Sequence, residues 1–100
     1  MEAGDYVVAI EDIIHTYGVK LTRGSNARVL DVMFKAVPKE VVAEEHRNKY
    51  NTHPNSEAHL LVPWVKVAVG KRTDWVQGHK LVKYGEHIDL GISAKPILTD

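Results

Sequence analysis

Apolar and polar residues alternate with a period of two over several stretches of the chain, the pattern of strands that bury one face. Asp5 to Ile14 reads DYVVAIEDII. Tyr6, Val8 and Ile10 share one face and Val7 and Ala9 the other. The density of β-branched residues favours a strand buried on much of both sides, although Ile10, Ile13, Ile14 and Tyr17 also fit a helical period. Thr22-Arg23-Gly24-Ser25-Asn26 carries turn chemistry. Ala27 to Ala36 reads ARVLDVMFKA. As a strand it places Val29, Asp31 and Met33 on one side and Leu30, Val32 and Phe34 on the other. As a helix capped by Ser25 or Asn26 it aligns Ala27, Leu30, Met33, Phe34 and Val37. Periodicity alone leaves both readings open.

Residues 37–50 form the best helix candidate. Pro38 suits a first helical turn, Glu40 suits the positive end, and His46, Arg47 and Lys49 suit the negative end. The apolar stripe of Val37, Val41 and Val42 is narrow, which predicts a short, exposed helix or helical turn against a sheet. Asn48 to Ser56 reads as a loop. Strand language then returns. Val65, Val67 and Val69 face one way in Leu60 to Val69, and Trp64, Lys66 and Ala68 the other, with Pro63 expected at a strand start or an edge. Gly70 to Asp74 reads as a hairpin connection, Trp75-Val76 and Lys80 to Tyr84 as short runs, and Ile88, Leu90 and Ile92 as a final strand. Short strands punctuated by glycine turns predict a mainly β fold with one short helix, a small antiparallel barrel or sandwich.

The 100 residues suffice for one small β-rich domain, 1–100, with 44% hydrophobic and 26% charged residues, the balance of an ordinary globular protein. No apolar run approaches the roughly 20 residues that span a bilayer, and none follows a basic start as a leader would. Cysteine is absent, which excludes disulfides, thiolate metal sites and a cysteine nucleophile, and favours a reducing, cytoplasmic setting. A domain this small has little room for a deep cofactor cavity, so no cofactor is expected.

The Gly4-Asp5 start, the step Leu21-Thr22-Arg23-Gly24 and the following Val29 and Val32 resemble the opening of small SH3-like barrels. The resemblance covers the first third of the chain, and Ala27 stands where many such domains carry a second glycine. It implies an architecture and no particular activity, because such barrels serve unrelated functions.

Net charge is zero, with 13 basic and 13 acidic residues, but the charges are segregated. Residues 1–19 carry Glu2, Asp5, Glu11 and Asp12 with no Lys or Arg. Residues 20–35 carry Lys20, Arg23, Arg28 and Lys35 against Asp31. Residues 66–83 carry Lys66, Lys71, Arg72, Lys80 and Lys83 against Asp74. Neutrality removes any global attraction to polyanions, while a basic stripe gathered on one face still attracts them.

Of the six histidines, His46, His53 and His59 are the candidate metal set. None of their spacings puts two imidazoles on one ion automatically, so a metal site is the lesser alternative. Asp12 with His15, or Asp74 with His79, could orient an imidazole for acid–base work. Ser25, Ser56 and Ser93 lack a nucleophile elbow, and no phosphate-cradling glycine loop occurs. Glu11-Asp12 would diverge along a strand. An enzyme is the least supported class.

The richest segment is 64–84, where Trp64, Trp75 and Tyr84 interleave with cations. Trp64 follows Leu60, Leu61 and Val62 and reads either as a core residue or as a stacking platform. Trp75, beside Asp74 at a hairpin, reads as the exposed ring. Arg72, Trp75 and His79, supported by Lys71, Lys80 and Lys83, are the expected partner-binding set. The expected function is non-enzymatic binding through protein contacts, self-association included, without a membrane. The alternative is a nucleic-acid-binding barrel using 64–84.

Overall fold

A computed structural model describes residues 1–97. The fold is mainly β and antiparallel, a sheet curled into a half-barrel. Eight strands run in chain order: β1 Tyr6–Ala9, β2 Ile13–Ile14, β3 Lys20–Leu21, β4 Asn26–Pro38, β5 Asn51–His53, β6 Ser56–Val69, β7 Arg72–Gln77 and β8 Leu81–Lys83. Their order is β5-β6-β4-β1-β8, with β7 also paired to β6 and a separate β2–β3 hairpin.

The long β4–β6 ribbon organises the molecule. Val29 pairs with Val67 and Asp31 with Lys66, so Leu30 is the extra residue of a β-bulge. The bulge reverses the expected alternation of the strand from Leu30 onward. One face of the ribbon now carries Arg28, Asp31, Met33 and Lys35 with Ala68, Lys66, Trp64 and Val62. The opposite face carries Val29, Val32, Phe34 and Ala36 with Val67, Val65, Pro63 and Leu61. Sharp bending at the bulge helps the sheet curl over a core of Val7, Ala9, Ile13, Val19, Leu21, Ala27, Val29, Val65, Val67, Val76 and Leu81. We call the core-facing side of the ribbon inner and the other outer. A second cluster, Val42, Leu60 and Val62 with Val37 and Tyr50, closes the ribbon's far end.

Residues 27–36, open between strand and helix in the sequence, are strand. Several other expectations are corrected. The stretch 5–14 is broken, because Ile10 to Asp12 leave the sheet between β1 and β2. Residues 37–50 contain no α-helix: β4 continues to Pro38, and two 3₁₀ turns follow, Lys39–Val41 and Glu44–Lys49. Their only fully buried neighbour is Val42, between the turns, too little apolar area to hold an α-helix against the sheet. The loop expected over 48–56 contains β5, paired in a hairpin to β6. Pro63, expected at a strand start or an edge, sits within β6 at the point where the pairing along one side changes from β5, ending at Leu61, to β7, starting at Trp64. That gap is the local edge a proline requires. The final strand expected over Ile88 to Ile92 is instead a 3₁₀ turn, Glu86–Leu90, leaving Ile88 exposed and burying His87. The His87 Nδ1 accepts the Gly85 N–H at 3.0 Å. No helix among the described residues is long and apolar enough to cross a membrane.

Candidate functional site

The expected binding set does not converge. Lys71 lies in the β6–β7 turn, and Arg72 starts β7, where its Nη1 donates to the Gly18 carbonyl at 3.1 Å. Trp75 faces the outer side, opposite Lys66. His79 belongs to the 3₁₀ turn Gly78–Lys80, Lys80 pairs with Glu11 at 3.6 Å, and Lys83 ends β8. Alternation along β7 separates Arg72 from Trp75, and the 3₁₀ turn carries His79 away from both. Trp64 and Trp75 are each half-buried and lie on the same outer face.

The two Asp–His pairings read from neighbouring residues are exchanged for a long-range one. His15 Nδ1 and Asp74 Oδ2 lie 2.5 Å apart, while Asp12 Oδ1 accepts the Arg23 N–H at 2.8 Å. Burial works to raise the Asp74 pKa. The His15 hydrogen bond, the Trp75 N–H, the His15 charge and the Val19 N–H outweigh it, and the carboxyl titrates below its ordinary range. The pair ties the residue that follows β2 to β7 across 59 positions of sequence, a latch between the β2–β3 hairpin and the main sheet. Gly18 permits the approach: a Cβ there would stand 1.9 Å from Asp74 Oδ2.

The candidate metal histidines are likewise separate. His53 Nδ1 accepts the Asn55 N–H at 3.0 Å, and His59 Nδ1 is 2.8 Å from Ser56 Oγ. Among the described residues no three His, Asp or Glu side chains gather to hold an ion.

What the fold does assemble is an apolar groove on the inner side, where the β4–β6 ribbon runs beyond the core. Two adjoining clefts, of about 450 and 320 Å³, share Phe34, Lys49, Tyr50 and Pro63. Leu61 extends one cleft, and Ile10, Val32, Leu81 and Leu90 extend the other, with His46, His79 and Glu86 supplying polar groups. Phe34 is 64% exposed and Leu90 53%, so much of the lining meets water. The floor depends on close packing of the 3₁₀ turn against the ribbon, since a Cβ on Gly78 would lie 2.8 Å from both Cγ and the carbonyl oxygen of Pro63.

Burial keeps two polar rings of the groove, His79 and Tyr50, uncharged beside the charged Lys49 and Glu86. His79 Nδ1 is shielded from water without a hydrogen-bond partner. Burial, and then the Lys80 charge, push its pKa down, and the His46 charge adds to this against the opposing pull of Glu11. Burial also pushes the Tyr50 phenol up. Both rings are therefore neutral near pH 7 and present apolar surface.

Phe34, Tyr50, Leu61 and Pro63 escaped the sequence reading. Phe34 was visible as one side of a strand, but only the bulge at Leu30 determines which side. No family model, curated protein or solved structure matches the chain, so its chemistry is read from its own geometry.

Proposed function

We propose that the protein is a non-enzymatic binding module that takes an extended, apolar segment of a protein partner into the groove between the β4–β6 ribbon and β8. The observation that carries this reading is Phe34, a large ring left mostly in water at the centre of two joined apolar clefts. Covering the 64% of Phe34 that is exposed is worth roughly 1–2 kcal/mol, and aromatic anchors seated in clefts dominate many interfaces. The groove is open and elongated, and neutral His79 and Tyr50 can meet backbone groups without a charge penalty. A second copy of the chain is one protein that could supply the segment. The pairing of β1 with both β4 and β8 supports reading the curled sheet as an SH3-like barrel. The cysteine-free composition supports a cytoplasmic setting.

Random peptides displayed on phage, selected on the wild-type chain and re-tested on Phe34→Glu, probe this reading. Enriched peptides should carry clustered apolar residues and lose at least tenfold in affinity for the variant. Failure to enrich any peptide, or affinity indifferent to Phe34, contradicts it. Sedimentation of the chain alone across a concentration series reports whether a second copy is an occupant.

A further inference from the structure

The outer face of the same sheet has a different character. Register alone aligns Tyr6 with Arg28, Lys66 with Trp75, and Met33 with Trp64. The Lys35 ammonium sits 4.5 Å above the Trp64 ring, so this indole meets its cation on the sheet surface. At the rim of the sheet near Tyr6, where the outer face meets the core edge at Leu21, Ala27 and Val69, opens a cleft of about 660 Å³ lined by Lys20, Arg28 and Lys95, with no acidic residue among its described lining. Among the described residues, none of Lys20, Arg28, Lys66 and Lys95 has a carboxylate within salt-bridge distance. The acidic residue placed on this face is Asp31, at the bulge, whose Oδ1 is occupied by the Val32 N–H at 2.8 Å. Asp74, next to Trp75 in sequence, turns to the other side and is held by His15.

We infer that this surface binds single-stranded nucleic acid, with the backbone entering the Lys20–Arg28–Lys95 cleft and the strand crossing Lys66 toward Trp75 and Trp64. Phosphodiesters account for the unpaired cations, and bases account for aromatic rings spaced along the same face, since stacking and phosphate contact together grip single strands. The narrow width of a single strand suits a curled sheet, whose surface a rigid duplex would touch only locally. This site lies on the opposite side of the ribbon from the apolar groove and stands independently of it.

The test is titration of the full chain with an oligothymidylate of about 15 nucleotides, read by tryptophan fluorescence and by anisotropy of the labelled oligonucleotide, with heparin as a polyanion lacking bases. With Lys20, Arg28, Lys66 and Lys95 each meeting one phosphate, the slope of log affinity against log salt is about −2.8, so affinity falls about 50-fold between roughly 50 and 200 mM salt. The double change Lys20→Ala with Arg28→Ala, both exposed side chains, should halve that slope to about −1.4, a fall of about sevenfold. Trp75→Phe should retain binding and lose part of the quenching. Quenching by oligothymidylate but not by heparin, with the shallower slope in the double variant, supports the inference. Three results overturn it: no binding at low salt, binding of both polyanions without quenching, or a slope unchanged by the double variant.

Discussion

Substituting alanine at Gly18 tests whether the His15–Asp74 contact is a latch. The new Cβ would fall 1.9 Å from Asp74 Oδ2, so the carboxylate must move. It cannot move freely, because Oδ2 is bonded to His15 Nδ1 and Oδ1 accepts the Trp75 N–H at 2.8 Å. Losing a hydrogen bond to a charged group costs roughly 1.5–3 kcal/mol. The two side chains are 41% and 26% exposed, and solvent screening brings the expected cost to about 1–2 kcal/mol. In a chain of this size that lowers Tm by about 5–15 °C. The assay is thermal and urea unfolding of Gly18→Ala, Asp74→Ala and the double variant. In the Asp74→Ala background the carboxylate clash is gone and only the tight His15 Cβ contact at 3.2 Å is left, so Gly18→Ala should change stability by less than about 0.5 kcal/mol in either direction. Additivity of the two changes within about 0.5 kcal/mol would refute the latch.

The same latch predicts an acid response. The folded Asp74 pKa lies below the ordinary 3.8, so its stabilisation is complete above that value and disappears as pH falls through the lower folded pKa. Asp74→Asn should flatten that part of the urea-midpoint profile. His79 acts at higher pH: its folded pKa lies below 6.5, so the unfolded chain takes up a proton first and stability declines as pH drops below about 6.5. His79→Asn should remove this component, and an unchanged profile would contradict a neutral, buried His79. Val67→Ala, at a position with 0% exposure, should cost about 2 kcal/mol in urea unfolding. Phe34→Ala, by contrast, should change stability by less than about 0.5 kcal/mol, since its ring lies mostly in water; a loss comparable to Val67→Ala would make Phe34 a core residue.

The strands were readable where local alternation coincides with burial, as in Val65, Val67 and Val69. They were misread where a tertiary event resets the pattern. The bulge at Leu30 is one such event: nothing in ARVLDVMFKA marks which residue is extra, yet it sends Phe34 to the inner groove and Lys35 to the outer face. Pro38 suits a first helical turn, but it equally ends a strand whose partner pairs with it at His59. The segregation of cations was visible along the chain, and its consequence was not. Lys20, Arg28 and Lys95 meet only because β3, the start of β4 and the C-terminal segment converge, with Asn26 Nδ2 donating to the Lys95 carbonyl at 2.8 Å. Arg72, Trp75 and His79 looked adjacent in sequence, but alternation and a 3₁₀ turn distribute them over three surfaces. Asp74 and His15, 59 positions apart, are a contact that no local pattern encodes.

The groove reading is tested most directly by mapping amide chemical-shift changes in the 15N-labelled chain as a selected apolar peptide is added. The account predicts saturable changes confined to Phe34, Tyr50, Asn51, Leu61, His79 and Leu81, with Arg28, Lys66 and Trp75 unmoved. Changes centred on the outer face, or spread without focus over the sheet, would contradict it.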